Sequence, residues 1–488
     1  MKLYDNIQEN LSKKGINVTV GIIYDMMAIW KRWYCGNVND FHYYDVKMAD
    51  GKVKKCERYT MNTAKKLCED FSKLVYSEKV EIKLDTDEKT KELDKILNSK
   101  KNALARNLPN FLEKTMFALG TGVTVEYFYN GEPIIDYISG DMVLPYKFTN
   151  SYIDGIITIS RTEEKENDKK IYKTLLTYHE FDNNTYKKMN EYYISDNDSE
   201  LGKQVDFNTY FPGVEEYEII ETDTPRFQLW CPLIANNFDT DNPLGISIFA
   251  NQIDKLKAID IKYDSFTREF RLGKKRILVD KTSIKKSPKV NEDGEVSYVS
   301  YFDTDDEAYV AISGMENQPV KDIDFSLRFK EHIDSINAEL NYLSSFSGLG
   351  NGFYRFDGTG LKTATEVISE NSDTYRTKQH HQIVVYDCLY DLVKAICEMA
   401  GIQSKDITIV FDDSIIEDEN ALIERGRKLF KDGLISKEKF MKKYLHYEDS
   451  EIEEELMKIQ NENKIIQPEG IDFFGMNDNQ KQLTVEEK

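Results

Sequence analysis

The chain has 488 residues, of which 40% are hydrophobic and 31% are charged, and its formal net charge is −21. This length corresponds to about three domains, and the hydrophobic content is too high for a disordered chain, so several buried cores are expected. The acidic balance argues against a protein whose whole surface binds nucleic acid, because phosphate contacts require a basic face. No apolar run reaches about 18 residues, so no membrane span is predicted, and no secretory signal is expected at the start.

The first half of the chain predicts helices followed by strands. Apolar residues at steps of three and four predict helices over residues 16–34, 60–76, 87–98 and 103–119. Alternating residues predict strands over 123–129, 133–139, 153–161, 171–181 and 185–194. The dipeptide Asn130-Gly131 between the first two strands is typical of a hairpin turn. Residues 195–213 are polar and are predicted to form a mobile loop.

The second half contains two apolar stripes at helical spacing. The stripe within residues 244–270 predicts a helix of about seven turns that starts at Asp241-Asn242-Pro243, and a second helix is predicted over 329–346. Residues 276–324 predict strands and turns, so the two helices are expected to form an antiparallel pair that projects a small β module. Each stripe covers one side of its helix, so an isolated pair would leave its flanks poorly buried unless neighbouring copies covered them.

The last part of the chain predicts further helices and one strand. A helix is expected over residues 363–399, with a polar first half, an apolar second half and a kink between them. A strand over 406–413 and charged helices over 417–431 and 436–460 follow. The tail after residue 464 is polar and is predicted to be disordered.

Residues 347–360 form a glycine-rich segment between two predicted helices. Its five glycines supply backbone freedom, and aromatic and basic residues at its centre supply contact groups. Fourteen residues are long for a linker, which favours a functional flexible loop over a simple helix connection. The string at 357–365 is not a nucleotide-binding loop, because Leu361 separates Gly360 from Lys362 and no hydrophobic strand precedes it.

The sequence offers weak candidates for catalysis or metal binding. An acidic cluster is more typical of a solvated turn than of a metal site, and it consists of Asp303, Asp305, Asp306 and Glu307. Whether this cluster binds a cation is left open. No nucleophile elbow, kinase signature or zinc spacing occurs. The chain is therefore predicted to be no enzyme and to need no cofactor.

The cysteines are interpreted as reduced thiols, and the pair His380 and His381 is interpreted as structural. The six cysteines are scattered without a Cys-x-x-Cys pair, so they are expected to be reduced thiols of a cytosolic product. His380 and His381 are adjacent on a predicted helix and therefore point about 100° apart, which disfavours a shared metal.

One basic segment stands out in this acidic chain. It spans residues 268–289 and contains nine cations, namely Arg268, Arg271, Lys274, Lys275, Arg276, Lys281, Lys285, Lys286 and Lys289. Cations favour the end of a helix, which explains the first of them as a solvated helix terminus. The cations that continue into the following strands instead indicate a surface that docks an acidic partner protein or contacts DNA phosphates locally.

Three segments resemble the portal proteins of tailed bacteriophages, in particular those of long-tailed phages of Gram-positive hosts. Residues 119–146 (LGTGVTVEYFYNGEPIIDYISGDMVLPY) resemble the wing of that family, and 242–279 resemble a stem helix that enters the clip. Residues 340–377 (LNYLSSFSGLGNGFYRFDGTGLKTATEVISENSDTYRT) are similar to the second stem helix, the tunnel loop and the start of a long kinked helix. The resemblance follows the family order over about 20–460.

The resemblance implies an α+β portal fold assembled as a ring. The implied parts are a wing at 1–240, stem helices at 241–270 and 326–346, a clip at 271–325, a tunnel loop at 347–360, a long kinked helix of the wing at 361–404, a crown region at 405–463 and a disordered tail at 464–488.

The resemblance also implies a function without catalysis. Twelve copies would form a channel at one capsid vertex of the virion, through which the terminase motor packages double-stranded DNA and from which the DNA is later ejected. The implied partners are the chain itself, the terminase large subunit, head-completion or adaptor proteins, and the major capsid and scaffolding proteins, with assembly in the host cytoplasm and no membrane. The alternatives left open are a nucleotide- or metal-dependent nuclease or NTPase and another head-morphogenesis protein.

Two sets of residues are the predicted sites under this interpretation. The DNA-facing tunnel loop would use Gly348, Gly350, Gly352, Phe353, Tyr354, Arg355, Phe356, Gly358, Gly360 and Lys362. The partner-docking surface of the clip would use Arg271, Lys274, Lys275, Arg276, Lys281, Lys285 and Lys286.

Overall fold

A computed structural model gives the architecture of the chain. It describes residues 2–18, 20–48, 50–76, 80–149, 152–166, 169–273, 276–280, 286–290, 296–300, 309–312, 320–323, 326–356, 364–411, 419–445, 447, 451–452 and 454–459. The chain divides into two compact units, Met1–Asp412 and Asp413–Lys488. Helices and mostly antiparallel sheets coexist in the first unit, which confirms the α+β class.

Helices occur in both units. Those of the first unit are α1 (Lys2–Lys13), α2 (Ile22–Tyr34), α3 (Asn39–His42), α4 (Thr63–Val75), α5 (Asp87–Leu97), α6 (Leu104–Phe111), α7 (Phe207–Tyr210), α8 (Ile253–Leu272), α9 (Phe329–Phe346) and α10 (Ala364–Ala400). The second unit contributes α11 (Glu419–Lys431) and α12 (Lys437–Tyr444). A π-helical segment at Leu112–Phe117 extends α6, and 3-10 turns occupy Gly140–Met142 and Ala250–Gln252. No helix in the described part of the chain is long and apolar enough to cross a membrane.

The strands in the described part of the chain belong to the first unit. They are β1 (Tyr43–Lys47), β2 (Val53–Glu57), β3 (Glu81–Leu84), β4 (Gly122–Tyr129), β5 (Glu132–Ser139), β6 (Val143–Thr149), β7 (Tyr152–Glu166), β8 (Lys169–Asp182), β9 (Thr185–Ser195), β10 (Lys203–Val205), β11 (Tyr217–Glu221), β12 (Phe227–Trp230), β13 (Arg276–Asp280), β14 (Lys286–Val290), β15 (Val296–Ser300), β16 (Tyr309–Ile312), β17 (Val320–Ile323) and β18 (Ile407–Val410).

The strands form one large sheet and several small ones. The largest has the order β10-β9-β8-β7-β6, with β11 also paired to β9, and a second has the order β12-β4-β5. Two-stranded sheets join β1 to β2, β3 to β18, and β14 to β15. Strand β13 lies between a parallel β16 and an antiparallel β17, so the segment between α8 and α9 contains the predicted strands.

The sheet formed by β12, β4 and β5 is covered on both faces. On one face, Phe227 joins Ile156 and Tyr186 of the largest sheet in a buried cluster. On the other, Trp230 contacts Phe111 edge to face, with ring centroids 6.1 Å apart. Burying side chains of this size stabilises the fold by about 1.5–3 kcal/mol each, so this packing holds the sheet in place.

Helices α8 and α9 form the predicted antiparallel pair. The Ser347 hydroxyl, just after α9, donates to the side-chain oxygen of Gln252, just before α8, over 3.1 Å. In the middle of the pair, Lys262 lies 2.7 Å from a carboxylate oxygen of Glu339. At the far end Glu269 of α8 contacts the start of α9. The order of these contacts runs in opposite directions along the two helices, which confirms the prediction.

The two apolar stripes are only partly exposed. Their central residues, Leu256 and Ile259 of α8 and Ile336, Leu340 and Leu343 of α9, are buried in the core of the chain itself. The exposed residues lie near the ends, where Phe270, Phe329 and Phe346 keep 44%, 54% and 68% of their surface accessible. The stripe residues are therefore poorly covered only at the ends of the pair, while beside the stripe Ile261 is also exposed in the middle of α8.

The helix predicted from residue 244 begins only at Ile253. Leu244, Ile246 and Phe249 are buried, but they belong to a non-helical segment that packs into the core. Its amide groups are bonded elsewhere, since Ile248 N donates to the carbonyl of Phe117 over 3.0 Å. Tertiary hydrogen bonds thus replace the bonds of a first helical turn, although the apolar spacing fits a helix.

Two other helix predictions were wrong at their boundaries. The helix expected from residue 16 starts at Ile22, after Gly21, so residues 16–18, 20 and 21 lie outside it. In the region of the single helix expected over 436–460, α12 ends at Tyr444, Leu445 and Tyr447 are not helical, and residues 451–452 and 454–459 are helical. Here the amide of Tyr447 turns back to the carbonyl of Met441 over 3.2 Å, which ends the regular pattern.

Most other predicted elements are confirmed. The helices expected at 60–76, 87–98, 103–119, 329–346, 363–399 and 417–431 and the strands expected through residue 194 and at 406–413 are present, and β7 and β8 are longer than predicted. Residues 195–213 contain β10 and α7 and so are not a loop throughout. Helix α1 was not predicted, and a kink in α10 stays a prediction. The acidic residues at 303–307 and the tail after 464 lie outside the described residues.

All six cysteines are free thiols, and the histidine pair makes structural contacts, as expected. His381 accepts a hydrogen bond from the Leu233 amide over 3.2 Å, and His380 lies 3.0 Å from the Leu233 carbonyl oxygen. Burial, with a smaller effect of His380, lowers the pKa of His381 to about 4. The two imidazoles therefore hold one loop residue against α10.

Candidate functional site

The first part of the glycine-rich loop is held by side chains of the two helices beside it. Thr377 of α10 donates to the Gly348 carbonyl over 2.6 Å, and the Gly350 amide donates to Thr374 over 3.2 Å. From α9, Asn337 accepts a bond from the Phe356 amide over 2.8 Å. Residues 348–356 are thus fixed at both ends in this conformation.

A glycine is required at the start of this loop. Gly348 has φ +73°, which is unfavourable for residues with a Cβ, and an added Cβ would lie 2.5 Å from the Thr377 hydroxyl. The turn after α9 therefore depends on both the backbone conformation and the close approach of α10.

The predicted contact residues of the loop divide into buried and exposed ones. Tyr354 is buried, and its hydroxyl donates to Asp70 of α4 over 2.8 Å. Burial, together with the Asp70 carboxylate, raises the pKa of Tyr354 well above its usual range. The Phe356 ring packs on Phe266 of α8, with centroids 6.0 Å apart. Both aromatic residues therefore anchor the loop here.

Of the remaining loop residues, some are exposed, some lie in the anchored part, and some lie outside the described residues. Phe353 and Arg355 are exposed and can face a ligand or a partner. Gly350 and Gly352 lie in the anchored part, whereas Gly358, Gly360 and Lys362 lie outside the described residues. A role of the loop residues in DNA contact stays a prediction.

The predicted docking residues begin in the last turn of α8 and continue beyond it. Arg271 is exposed in its last turn, Arg276 lies in β13 and Lys286 lies in β14. Lys274, Lys275, Lys281 and Lys285 lie outside the described residues. Arg268 points back to the first unit's N-terminal part, where it donates to the Tyr44 hydroxyl over 3.0 Å. The docking surface stays a prediction.

Glu269 connects the end of α8 to the start of α9, at the two ends of the segment that contains β13. It accepts 2.8 Å bonds from the Arg328 amide and guanidinium, and His332 Nε2 lies 2.5 Å from its carboxylate. Arg328 first, and then His332, lower the pKa of Glu269 to about 2. This network fixes the base of the predicted clip.

A cavity of about 1560 Å³ lies in the β-rich part and was not predicted from the sequence. Its lining includes Glu126, His179, Arg226 and Glu398, which come from strands and from α10. Arg226 is buried, donates to the Ala395 carbonyl and lies 3.3 Å from Glu398. Among the described residues no group of three or more His, Cys, Asp or Glu side chains could hold a metal ion.

The sequence contains a signal for some residues of the loop site and none for others. The glycines marked the loop, but Asp70 lies 284 positions from Tyr354, so no local pattern could link them. Thr374 and Thr377 lie three residues apart on α10, and this spacing places both on one helix face. That spacing was the one available sign that α10 holds the loop.

The fold and the loop define a mixed helix-and-sheet protein with an antiparallel helix pair and a helix-anchored glycine turn. The sequence profile of the family described as "Phage portal protein, SPP1 Gp6-like" matches residues 24–469 of this chain. No curated protein matches the chain. The chain belongs to the phage portal protein family, a structural family with a role in DNA packaging and head–tail connection at the bacteriophage capsid.

Proposed function

We propose that twelve copies of this chain form a ring-shaped channel at one capsid vertex. DNA enters the head through this channel during packaging by the terminase motor and leaves through it at ejection. In this assignment residues 241–270 and 326–346, with most of α8 and all of α9, are the stem. Residues 271–325 are the clip, 347–360 the tunnel loop, 1–240 with 361–404 the wing, and 405–463 the crown. Family membership and the order of these elements support the proposal.

The observation that carries the ring is the exposed apolar surface of the α8–α9 pair. Tyr342 and Phe346 lie four residues apart on one face of α9, and both are exposed. Ile261 is exposed on α8. Covering side chains of this size by a neighbour contributes about 1–2 kcal/mol each, and a repeated head-to-tail contact forms a ring when the rotation between copies closes.

The charge of the chain suits a conduit. Twelve copies at −21 each carry about −252 in total. Where such charge faces the channel it repels DNA at short range, with screening over about 8 Å at physiological salt. Weak contact that does not depend on sequence lets the duplex slide, and Arg355 supplies a local phosphate contact.

The proposed partners follow from the same assignment. The clip docks the terminase large subunit during packaging and head-completion or adaptor proteins afterwards, using the basic residues after α8. The wing and crown meet the major capsid and scaffolding proteins. The ring assembles in the host cytoplasm and resides at the portal vertex of the virion.

The decisive experiment measures the mass and shape of the purified chain. A ring of twelve has a mass of about 680 kDa, twelve times 56.8 kDa, and shows a central hole in electron micrographs. The Phe346→Asp variant should shift the population toward smaller species. Leu434→Asp is the matched control, because Leu434 is 69% exposed in the second unit. A stable single chain at high concentration, or hydrolysis of ATP or DNA by the pure protein, would contradict the proposal.

A further inference from the structure

The side chains at the centre of the glycine-rich loop alternate in direction. Phe353 and Arg355 are exposed, whereas Tyr354 is buried and Phe356 is half-buried. Arg355 therefore lies between two residues that are held against the body of the chain. The contacts of these two neighbours decide where its guanidinium group points.

Phe356, the neighbour on the C-terminal side, is held by the α8–α9 pair. Its ring packs on Tyr263 and Phe266 of α8, with centroids 6.4 Å and 6.0 Å away. Its amide donates to the Asn337 side chain of α9 over 2.8 Å. These contacts come from the helix pair that precedes the loop, so this side of Arg355 is fixed locally.

Tyr354, the neighbour on the N-terminal side, is held from two directions. Its amide donates to the Ser344 hydroxyl of α9 over 3.2 Å, and its own hydroxyl donates to Oδ2 of Asp70 over 2.8 Å. A hydrogen bond to a carboxylate is shorter and stronger than one between neutral groups. It restrains a segment in which Gly350 and Gly352, just before Tyr354, supply backbone freedom.

Asp70 is itself held in place by its helix. In α4 the side chains of Leu67 and Phe71 are buried, and the Phe71 ring packs on Phe117 with centroids 5.6 Å apart. The second carboxylate oxygen of Asp70 accepts a bond from Lys66, one turn earlier. A group whose orientation is fixed in this way on a packed helix positions a site more precisely than a loop residue does.

We infer that Asp70 is a positioning residue of the tunnel loop, which through the Tyr354 hydroxyl fixes the direction in which Arg355 meets the DNA backbone. Without this bond the loop would sample other directions, and ordering it at each phosphate contact would weaken that contact. The inference rests on the proposed phosphate contact of Arg355 and adds the residue that orients it, on a helix 284 positions before Tyr354.

Packaging by the assembled motor tests this role in rings that carry Tyr354→Phe, Arg355→Ala or both. We expect Tyr354→Phe to change the packaging rate in the same direction as Arg355→Ala, by about twofold or more, and to weaken its salt dependence in the same way. Because Tyr354 acts through Arg355, the double variant should package as Arg355→Ala does. A double variant in which the two effects multiply would overturn the inference.

Substitutions of Asp70 separate the hydrogen bond from the rest of the helix. Asp70→Asn keeps an oxygen that accepts the Tyr354 proton, so it should package at close to the natural rate. Asp70→Ala removes the acceptor and should behave as Tyr354→Phe does. Electron micrographs check that each variant forms rings, and equal packaging rates for Asp70→Asn and Asp70→Ala would contradict the inference.

Tyr24→Phe is the control for the loss of a buried hydroxyl. Tyr24 and Tyr354 are 7% and 9% exposed, and the Tyr24 hydroxyl donates to the Val143 carbonyl over 2.7 Å. This variant should lose stability but package at the natural rate. Hydrogen exchange of amides 348–356 should rise by about threefold or more in Tyr354→Phe and stay unchanged in Tyr24→Phe. Equal exchange, or equal packaging, in the two variants would refute the positioning role.

The result with Arg355→Ala separates this inference from the proposed function. If Arg355→Ala alters packaging and Tyr354→Phe does not, the positioning role is refuted while the phosphate contact stands. If Arg355→Ala packages at the natural rate with the natural salt dependence, the phosphate contact fails, and the positioning role fails with it.

Discussion

The Tyr354 hydroxyl donates a 2.8 Å hydrogen bond to a carboxylate oxygen of Asp70 and so ties the glycine-rich loop to a helix near the start of the chain. Tyr354 is buried, and a hydrogen bond to a charged group contributes about 1.5–3 kcal/mol. The loop is therefore restrained by a long-range contact as well as by the helices that flank it.

Removing this hydroxyl should destabilise the first unit. We predict that Tyr354→Phe lowers the free energy of unfolding by about 1–3 kcal/mol, because the Asp70 carboxylate loses its buried donor. Urea unfolding followed by circular dichroism measures the change. Tyr342→Phe, at an exposed tyrosine, is the control and should change it by less than about 0.5 kcal/mol. Equal effects of the two variants would show that the contact is energetically unimportant.

A side chain at Gly348 should be more costly than the left-handed backbone alone explains. Gly348 and Gly401 have φ +73° and +71°, but a Cβ at Gly401 meets no atom within 4 Å. We predict that Gly401→Ala costs about 1–2 kcal/mol of unfolding free energy and that Gly348→Ala costs clearly more, because its Cβ clashes with Thr377. Thermal melts of both variants measure this. A smaller loss for Gly348→Ala would mean that α10 moves away freely.

The stability of the chain should depend on the protonation of Glu126. Burial raises the pKa of Glu126 to about 8, against the opposing effects of Gln228, Arg226 and Thr124. The folded chain therefore holds this proton more tightly than the unfolded chain, whose glutamates titrate near pH 4.3. This contribution is complete below that pH and is lost progressively as the pH rises toward 8.

The Glu126→Gln variant isolates this effect. It should lose this part of the pH dependence and exceed the natural chain in stability at pH 8, by up to several kcal/mol at about 1.4 kcal/mol for each pKa unit. Unfolding at pH 5, 6.5 and 8 measures the difference. Glu92→Gln, at an exposed glutamate of α5, should run parallel to the natural chain. If the profile of Glu126→Gln also ran parallel, the buried carboxyl would not be the cause.

Arg355 should influence DNA movement if it contacts phosphates in the channel. The side chain is exposed beside the anchored Tyr354. We predict that Arg355→Ala changes the packaging rate by about twofold or more and weakens its salt dependence, because fewer counterions are released. Packaging by the assembled motor at several salt concentrations measures this. Arg427→Ala, at an exposed arginine of α11, is the control, and a normal rate with normal salt sensitivity for Arg355→Ala would end this role.

Charge reversal after α8 should weaken docking of the motor. We predict that changing Lys274, Lys275 and Arg276 to glutamate weakens binding of the terminase large subunit by about tenfold or more, because a basic surface becomes acidic. Binding to immobilised rings measures the affinity. The same reversal at Lys437, Lys439 and Lys442 of α12 provides a control of equal charge change. Unchanged affinity would mean that the motor uses another surface.

Local patterns explain which parts of the fold could be predicted. The 3.6-residue spacing of α9 and the alternation of β4 and β5 around Asn130-Gly131 appear directly in the sequence, because each element buries one face. The same spacing was misleading in residues 244–252. There the apolar side chains are buried as expected, but the backbone bonds to the chain near Phe117, and no local pattern reveals such a partner.

The amino-acid sequence alone determined the order of the elements, the glycine loop between two helices and the basic segment after α8, because helix periodicity, glycine content and charge are properties of neighbouring residues. Only the tertiary structure decided that Tyr354 anchors the loop while Arg355 faces outward, that the stripe centres are buried, and that Arg268 of α8 contacts Tyr44 of β1. These outcomes depend on contacts between residues tens to hundreds of positions apart, and the free energy of packing selects them.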